Sequence, residues 1–452
     1  MTGRILALIL CVSVLPAADE WPILTPKPGP SPRLNGPKVY GARPAKPFLY
    51  RIPCTGQRPI TFSAKGLPKG ITLDPQSGIL RGTTPESKGT HVVSVEARNA
   101  HGRARREWKL IIGDTLSLTP QMGWNSWYTH YARVTDKVMR EAADIMISSG
   151  LADAGYEFVS IDDCWARRAD SSNPLHRGEP RDAAGNILTN ADFPDMAGLT
   201  AYIHSKGLKT GIYTSPGPLT CGRYTGSWQH EEQDARTFAE WGFDLLKYDL
   251  CSYRRTPGAN TLEEHKAPYA KMGAILQRMP RDIVLNLCQY GLMEVWKWGG
   301  EVGGQSWRTT GDLGLEKDTE LPGFYSIAFK NAPKWEYAGP GRWNDPDYIL
   351  IGVVGDAHQW QSGKDPERVK LTASEQYSYM SLWSLMASPL FYSGDMARLD
   401  DFTVNVLTNH EVIDVNQDVL GKQARIVRKT AEELVLAKPL EDGSLAVGLF
   451  NL

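Results

Sequence analysis

The apolar residues of the chain follow two different rhythms, and the first covers residues 34–112. Short runs of alternating apolar and polar residues, such as 91–97 and 107–112, are separated here by turns rich in Gly, Pro and Asp. A period of two places one side of a strand inward, and regularly spaced short strands are typical of a small β-sandwich. We therefore expect a β-sandwich module over residues 34–113.

The second rhythm begins at Gln121, where apolar strands that end in polar or aromatic residues alternate with amphipathic helices. Helices are predicted over 136–149, 191–206, 231–241 and 261–279. The eight predicted strands are 122–125, 158–163, 210–214, 245–249, 283–287, 306–308, 342–345 and 390–393. This alternation over residues 118–418 predicts a (β/α)8 TIM barrel. An open doubly wound sheet is the alternative, but no Gly-x-Gly-x-x-Gly turn supports a nucleotide site.

The last part of the chain, residues 419–452, returns to a β pattern. Three strands are predicted over 424–428, 433–437 and 444–450, and the sequence ends inside the third. Three strands alone leave an incomplete sheet with an exposed edge. We expect a partial C-terminal antiparallel β domain, which either belongs to a longer chain or packs on the barrel.

The N-terminus has the pattern of a secretory signal peptide over residues 1–18. Arg4 precedes the apolar run 5–15 and a Pro-Ala-Ala segment, and this run is too short to span a membrane. A buried N-terminal helix is the alternative. We expect a secreted or periplasmic protein with no membrane span, whose signal is followed by a Pro-rich linker over 19–33.

Composition narrows the function classes. The 452 residues include 50 Lys and Arg against 51 Asp and Glu, a net charge of −1, which excludes a strongly basic nucleic-acid-binding protein. No C-x-x-C pair occurs among the six cysteines, so a zinc ribbon has no support. Cleavage after the signal removes Cys11 and leaves an odd number, of which at least one is unpaired within the chain.

Acidic residues gather at the predicted strand ends, where TIM barrels place their chemistry. They are Asp162, Asp163, Asp249, Asp312, Asp345 and Asp347. Such a rim, with Trp residues in the same blocks, suits a sugar, and two carboxyl groups can cleave a glycosidic bond. A magnesium or calcium site is the alternative. Lys247 and Arg308 lie in the same cluster and repel a cation, so we expect no metal and no cofactor.

Six blocks in this order resemble glycoside hydrolase family 27, the α-galactosidases: 123–127, 160–165, 207–213, 246–251, 306–312 and 343–347. The segment 67–83 resembles immunoglobulin-like modules appended to bacterial secreted proteins. The first resemblance implies a retaining glycosidase that removes terminal α-galactosyl groups from an oligosaccharide or polysaccharide. Asp249 matches the nucleophile and Asp312 the general acid/base; Lys247 in principle lowers the pKa of Asp249.

The resemblance also assigns substrate-binding roles. Asp162 and Asp163 match the pair at the 4- and 6-hydroxyls, Lys247 the residue at the 3- and 4-hydroxyls, and Arg308 the one near the 2-hydroxyl. The remaining substrate-binding positions are Trp127, Cys221, Gln289, Trp343 and Asp347. Cys221 and Cys251 match a disulfide beside the nucleophile, which leaves Cys54, Cys164 and Cys288 free.

One position departs from the family pattern. Gln289 stands where many α-galactosidases carry a glutamate that helps on the 2-hydroxyl side. The same fold and mechanism on an α-N-acetylgalactosaminide, a β-L-arabinopyranoside or an isomaltose-type glucan is therefore an open alternative. A catalytically idle sugar-binding protein is the alternative from another class.

Overall fold

The structure is a computed structural model that describes residues 21, 23–256, 260–314, 321–355 and 365–452. The signal peptide expected over 1–18 lies outside the described residues. In the described parts of the chain, no helix combines the length and the apolar character needed to cross a membrane.

The N-terminal module is a β-sandwich, as the alternating pattern predicts. Its strands are β1 (Arg33–Leu34), β2 (Val39–Ala42), β3 (Pro47–Arg51), β4 (Cys54–Thr55), β5 (Thr61–Lys65), β6 (Ile71–Leu73), β7 (Ile79–Thr83), β8 (Gly89–Asn99) and β9 (Gly102–Ile112). A four-stranded sheet in the order β2-β9-β8-β5 and a three-stranded sheet in the order β3-β7-β6 enclose one core. Trp108 stacks on Tyr50 in that core, with ring centroids 4.9 Å apart.

The barrel consists of eight parallel strands, and all eight occur where the sequence predicts them. They are β10 (Met122–Asn125), β11 (Phe158–Ser160), β12 (Lys209–Thr214), β13 (Leu245–Asp249), β14 (Val284–Cys288), β15 (Ser306–Arg308), β16 (Trp343–Asp345) and β19 (Leu390–Tyr392). Neighbouring strands pair in sequence order, and β19 pairs with β10. An isolated parallel bridge between Ile349 and Tyr392 joins the two edges of the sheet. The TIM-barrel prediction is therefore confirmed over the open-sheet alternative.

Helices surround this sheet. They are α1 (Trp127–His130), α2 (Asp136–Ser148), α3 (Leu151–Ala154), α4 (Met196–Ser205), α5 (Glu231–Trp241), α6 (Leu262–Arg278), α7 (Gly323–Asn331), α8 (Ala373–Leu385), α9 (Asp401–Leu407) and α10 (His410–Asn416). A short antiparallel pair, β17 (Val353–Val354) and β18 (Glu367–Arg368), lies outside the barrel sheet. Capping boxes at Thr261 and Thr372 fix the starts of α6 and α8.

Leu116, in the segment between the module and β10, plugs the N-terminal end of the barrel. Its side chain is 3% exposed and packs with Phe158, Leu245 and Val284. These three residues lie at or near the starts of β11, β13 and β14. Since this end is filled with apolar side chains, the open rim lies at the other ends of the strands.

The C-terminal strands pack on the barrel. They are β20 (Arg425–Lys429), β21 (Glu433–Pro439) and β22 (Leu445–Asn451), and they form one antiparallel sheet. A side chain at Gly448 of β22 would place its Cβ 2.3 Å from Leu385 Cδ1 of α8, so the sheet lies directly on this helix. Leu434 and Leu436 of β21 are buried.

The described residues of the predicted Pro-rich linker contact the barrel helices. Trp21 packs edge-to-face on Phe402 of α9, with centroids 4.8 Å apart. The backbone N–H of Leu24 donates to the hydroxyl of Tyr377 in α8, and Asn405 of α9 donates to the carbonyl of Thr25. The segment is irregular in conformation but attached along its length.

Candidate active site

Most of the polar residues named from the sequence lie at the carboxyl ends of the barrel strands. Asp249 is the last residue of β13 and Arg308 the last of β15, whereas Asp162 follows β11 by two residues. Lys247 lies two residues before Asp249, on the same side of β13. Because all strands are parallel, these ends form one rim.

Asp249 is buried and held through both of its carboxylate oxygens. Its Oδ1 accepts a hydrogen bond from the Tyr290 hydroxyl at 2.7 Å, and its Oδ2 accepts one from the Tyr213 hydroxyl at 2.9 Å. Two donors on opposite oxygens fix the plane of the carboxylate, so its orientation does not depend on a bound substrate.

The charge state of Asp249 results from opposing influences. Burial raises the pKa of Asp249 above its ordinary value and the carboxylate of Asp312 acts in the same direction, whereas Lys247 and the two phenols lower it. Lys247 acts in the expected direction, but its effect is smaller than that of burial, so the net pKa is raised. Removal of the carboxylate from water outweighs the nearby ammonium charge.

A disulfide joins Cys221 and Cys251 beside Asp249, as the resemblance implies. The Tyr213 hydroxyl lies 3.1 Å from Cys251 Sγ, and the Tyr290 hydroxyl lies 3.4 Å from Cys221 Sγ. The two phenols that hold the nucleophile thus also contact the disulfide. The three predicted free cysteines, Cys54, Cys164 and Cys288, are free and buried.

Asp312 lies at the edge of the rim, with 51% of its side chain exposed. The buried Arg308 donates to Asp312 Oδ1 at 3.2 Å and forms an ion pair with Asp347 Oδ2 at 3.0 Å. Asp347 also accepts the backbone N–H of Leu313 at 2.8 Å. Asp347 therefore holds both the arginine beside Asp312 and the residue that follows it.

The opposite wall of the site is built around Asp162. Its Oδ2 accepts hydrogen bonds from Lys247 Nζ at 2.8 Å and from Asn125 Nδ2 at 2.9 Å. Tyr348 donates to the same oxygen at 3.1 Å. Burial lowers the pKa of Lys247, but Asp162, Tyr348 and Asp249 together raise it well above its ordinary value. Lys247 is thus a fixed cation.

Asp163 is a buried carboxyl group with fewer compensating partners. Its oxygens accept the backbone N–H of Cys164 at 2.7 Å and of Gly222 at 2.6 Å. Burial raises the pKa of Asp163 to about 7, and the adjacent Asp162 adds to the rise, whereas the bonds from Gly222, Thr220 and Cys164 oppose it. Asp162 and Asp163 therefore differ in environment although they are neighbours in sequence.

Two of the named residues are not brought into this cluster. Trp343 is fully buried at the start of β16, where its indole N–H donates to the carbonyl of Ser117 at 2.8 Å. Ser117 belongs to the segment at the filled end of the barrel, so the expected contact of Trp343 with substrate is not supported. Within the Trp-Asn-Asp-Pro-Asp block, Asp347 reaches the cluster, Trp343 reaches the opposite end, and Asn344 bonds instead to Trp307 and Gln423.

Gln289 is the second such residue. Its side chain is fully buried, its Oε1 lies 3.4 Å from His265 Nε2, and its Nε2 has no hydrogen-bond partner among the described residues. The next residue, Tyr290, faces the site instead, with a backbone φ of +65°. Trp127 is half-buried at the start of α1, packed edge-to-face on Tyr131.

Sequence reasoning missed four residues of the cluster: Asn125, Tyr213, Tyr290 and Tyr348. Asn125 ends β10 and Tyr213 is the last residue but one of β12, and both lie within the matching blocks, so the sequence could have indicated them. Tyr290 and Tyr348 follow strand ends in loops, and Tyr290 reaches Asp249 only through its left-handed backbone conformation. No pattern in the sequence indicates that conformation for a tyrosine.

One group of side chains within the described ranges has the spacing of a metal site: Cys221, Asp249 and Cys251. Both sulfur atoms are bonded to each other, so neither is a thiolate that could serve as a ligand. What the site offers to a ligand is a set of carboxylates, one ammonium and one guanidinium group. This set matches the hydroxyl groups of a sugar.

Comparisons with known proteins agree with the two parts of the fold. Residues 119–418 match the family model Melibiase_2, whose description is "Alpha galactosidase A". Residues 32–112 match the model He_PIG, described as "Putative Ig domain".

Similar proteins cover most of the chain. An "Alpha-galactosidase" of Oryza sativa subsp. japonica is 37% identical over 370 residues, which are 81% of this chain and 80% of the relative. A crystal structure of a "putative alpha-galactosidase/melibiase" from Bacteroides fragilis NCTC 9343 has a TM-score of 0.85 and 40% identity, covering 93% of this chain and 86% of that chain. An alpha-galactosidase of Saccharomyces cerevisiae, solved with raffinose, has a TM-score of 0.63 and 28% identity over 74% of each chain.

Proposed function

Because the chain belongs to the alpha galactosidase A family of glycoside hydrolases, we propose that it removes terminal α-D-galactosyl residues with retention of configuration. The environment of Asp249 is the observation that supports this proposal most directly. This buried carboxylate is oriented by Tyr213 and Tyr290, and Asp312 is close enough to affect its pKa. An oriented carboxylate facing a second, solvent-accessible one is what double displacement requires.

Substrate binding is assigned to the wall around Asp162. Asp162 and Asp163 accept hydrogen bonds from the 4- and 6-hydroxyls of galactose, and Lys247 donates at the 3- and 4-positions. Arg308 approaches the 2-position. The axial 4-hydroxyl distinguishes galactose from glucose, so the fixed Lys247–Asp162 pair supports galactose over a glucan.

The first chemical step forms a covalent intermediate. Asp249 Oδ attacks the anomeric carbon while Asp312 transfers its proton to the glycosidic oxygen, and the carbon–oxygen bond to the leaving group breaks. In the second step water attacks the anomeric carbon, Asp312 accepts the proton of that water, and Asp249 is released. Two inversions give net retention, for which carboxyl groups stand about 5–5.5 Å apart.

The test uses the full chain and a panel of nitrophenyl glycosides. Wild-type protein is expected to hydrolyse the α-D-galactoside fastest, with α-galactose as the first product seen by NMR. Asp249→Gly is expected to lose turnover, which azide partly restores by forming a glycosyl azide. Asp401→Asn, an exposed aspartate of α9, is the matched control and should keep full activity.

Each alternative has its own outcome in this experiment. A higher rate on the α-N-acetylgalactosaminide, the β-L-arabinopyranoside or an isomaltose-type substrate would replace galactose as the substrate while keeping the mechanism. First-formed β-galactose, or an unaltered rate in Asp249→Gly, would refute the mechanism. Galactose binding without turnover on any substrate would make the protein an idle sugar-binding protein.

We propose further that the chain is exported and that residues 1–18 are removed. The Cys221–Cys251 bond supports this, because structural disulfides persist in oxidising compartments. The mass of the protein recovered from the periplasm or medium tests it. Cleavage near Ala18 is expected, and a mature protein that retains Met1 would contradict it.

A further inference from the structure

The N-terminal module docks on the filled end of the barrel, opposite the candidate site. A crevice of about 390 Å³ between the two parts is lined by Tyr40 and Tyr50 of the module and by Phe158, Lys209 and Val284. The last three residues begin β11, β12 and β14, whereas Asp249 ends β13. The module therefore faces the strand starts and is remote from the rim that carries the carboxylates.

Basic side chains of the module reach the carbonyl groups at the C-terminal ends of two barrel helices. Arg81 donates to the carbonyls of His204 at 2.8 Å and Ser205 at 3.0 Å, the last two residues of α4. Lys46 Nζ donates at 2.6 Å to the carbonyl of Met279, the residue directly after α6. The last carbonyls of a helix lack partners within the helix, and the helix dipole places partial negative charge there.

A third helix end is held in the same way. Asn35 donates to the backbone carbonyl of Asp153 in α3 at 2.8 Å. Arg58 donates to both carboxylate oxygens of Asp153 at 2.7 and 2.8 Å, and Arg51 lies 3.6 Å from this carboxylate. Three helices that end at the same face of the barrel thus obtain polar partners from the module.

The backbones of the two parts also come close together. Gly207 follows α4 with a φ of +79°, and an added Cβ would lie 2.9 Å from Ile79 Cγ1 and 3.0 Å from Arg51 Cβ of the module. The docking is therefore close-packed at the same helix end that Arg81 caps. A flexible tether to the barrel would need no such fit.

We propose that the module serves as an intramolecular cap, which supplies cationic and amide donors to the C-terminal ends of α3, α4 and α6. The module stabilises the barrel and unfolds together with it. It does not present a sugar-binding surface beside the active site, since it lies at the other end of the strands. This assignment is independent of the substrate proposed above, because it is tested by unfolding.

The test compares full-length variants by calorimetry and by hydrogen exchange. Arg81→Ala/Lys46→Ala removes two helix-capping cations, and Arg98→Ala/Lys65→Ala removes two exposed cations from the sheet of β8 and β5 as a matched control. We expect one unfolding transition in the wild type and a Tm about 4 °C lower in the first variant. The control should lie within about 1 °C of the wild type, and both variants should keep kcat at low temperature.

Hydrogen exchange separates capping from a general loss of stability. Amides of residues 203–208 and 278–281 are expected to exchange faster in Arg81→Ala/Lys46→Ala, while those of β13 keep their protection. If the double variant does not fold, the single variants take its place in both measurements. Two separate transitions in the wild type, or equal Tm values in all three proteins, would overturn the proposal.

Discussion

At the scale of single residues, the two phenols on Asp249 offset part of the effect of burying that carboxylate. Tyr290 is held in turn, because the Arg254 guanidinium lies 4.5 Å from its ring centroid. Hydrogen bonds to the ionised form lower a pKa, so the phenols keep the nucleophile available in a site where burial favours the neutral acid.

Tyr290→Phe tests this role. Loss of the 2.7 Å bond to Asp249 Oδ1 removes an influence that lowers the pKa of Asp249, so this pKa rises. The acidic limb of the kcat/KM profile should then move to higher pH, with a fall in kcat of about tenfold. Tyr202→Phe, which removes a surface phenol bonded to Asp144, is the control and should leave the profile unchanged. An unshifted limb with an intact fold would contradict the role.

Asp163 gives a second residue-scale prediction, through its pKa of about 7. The carboxyl group is largely protonated below that pH and ionised above it, and an ionised acceptor binds a sugar hydroxyl more strongly. Galactose should therefore bind about fivefold more tightly at pH 8 than at pH 6, measured by calorimetry. Asp163→Asn should remove this dependence, and a dependence that survives the substitution would assign it to another group.

At the scale of elements, the hydrophobic pattern predicted the strands and helices of the barrel but was less accurate for the ends of the helices. The predicted helix over 231–241 matches α5 at both ends, because acidic residues begin it and Gly242 ends it in the left-handed region. The helix predicted to begin at residue 191 begins instead at Met196, after Asp195, whose side chain accepts the N–H of Gly198. Pro194 and the N-cap residue Asp195 lie inside an apolar stretch and shift the start of this helix to Met196. The helical period of the apolar residues does not by itself reveal this shift.

The segment between the module and β10 carries the element-scale prediction. Leu116→Ala leaves a cavity among Phe158, Leu245 and Val284, and should destabilise the protein by about 2–5 kcal/mol. Thermal unfolding should show a Tm lower by several degrees, with kcat at low temperature retained because the rim is at the other end. Leu175→Ala, at a side chain that is 54% exposed, should leave Tm nearly unchanged. Equal changes in Tm for both substitutions would show that Leu116 does not fill the N-terminal end of the barrel.

At the scale of the whole molecule, the sequence predicted the order and fold type of the domains, but it did not predict which side chains contact one another. Acidic residues at strand ends were enough to locate the rim, because parallel strands bring their carboxyl ends together. Trp343 and Gln289 were predicted at the substrate site but lie elsewhere, because residues of one sequence block can face opposite ends of the barrel or opposite sides of its wall. Their burial depends on neighbours distant in sequence, such as Ser117 and His265.

The docking of the module on the filled end of the barrel has a practical consequence for immobilising the enzyme. A solid support attached to the exposed sheet of the module lies behind the barrel, so the catalytic rim points into the surrounding liquid. Soluble oligosaccharides then reach the rim without passing the support. Attachment through side chains near the rim gives the opposite orientation and obstructs entry.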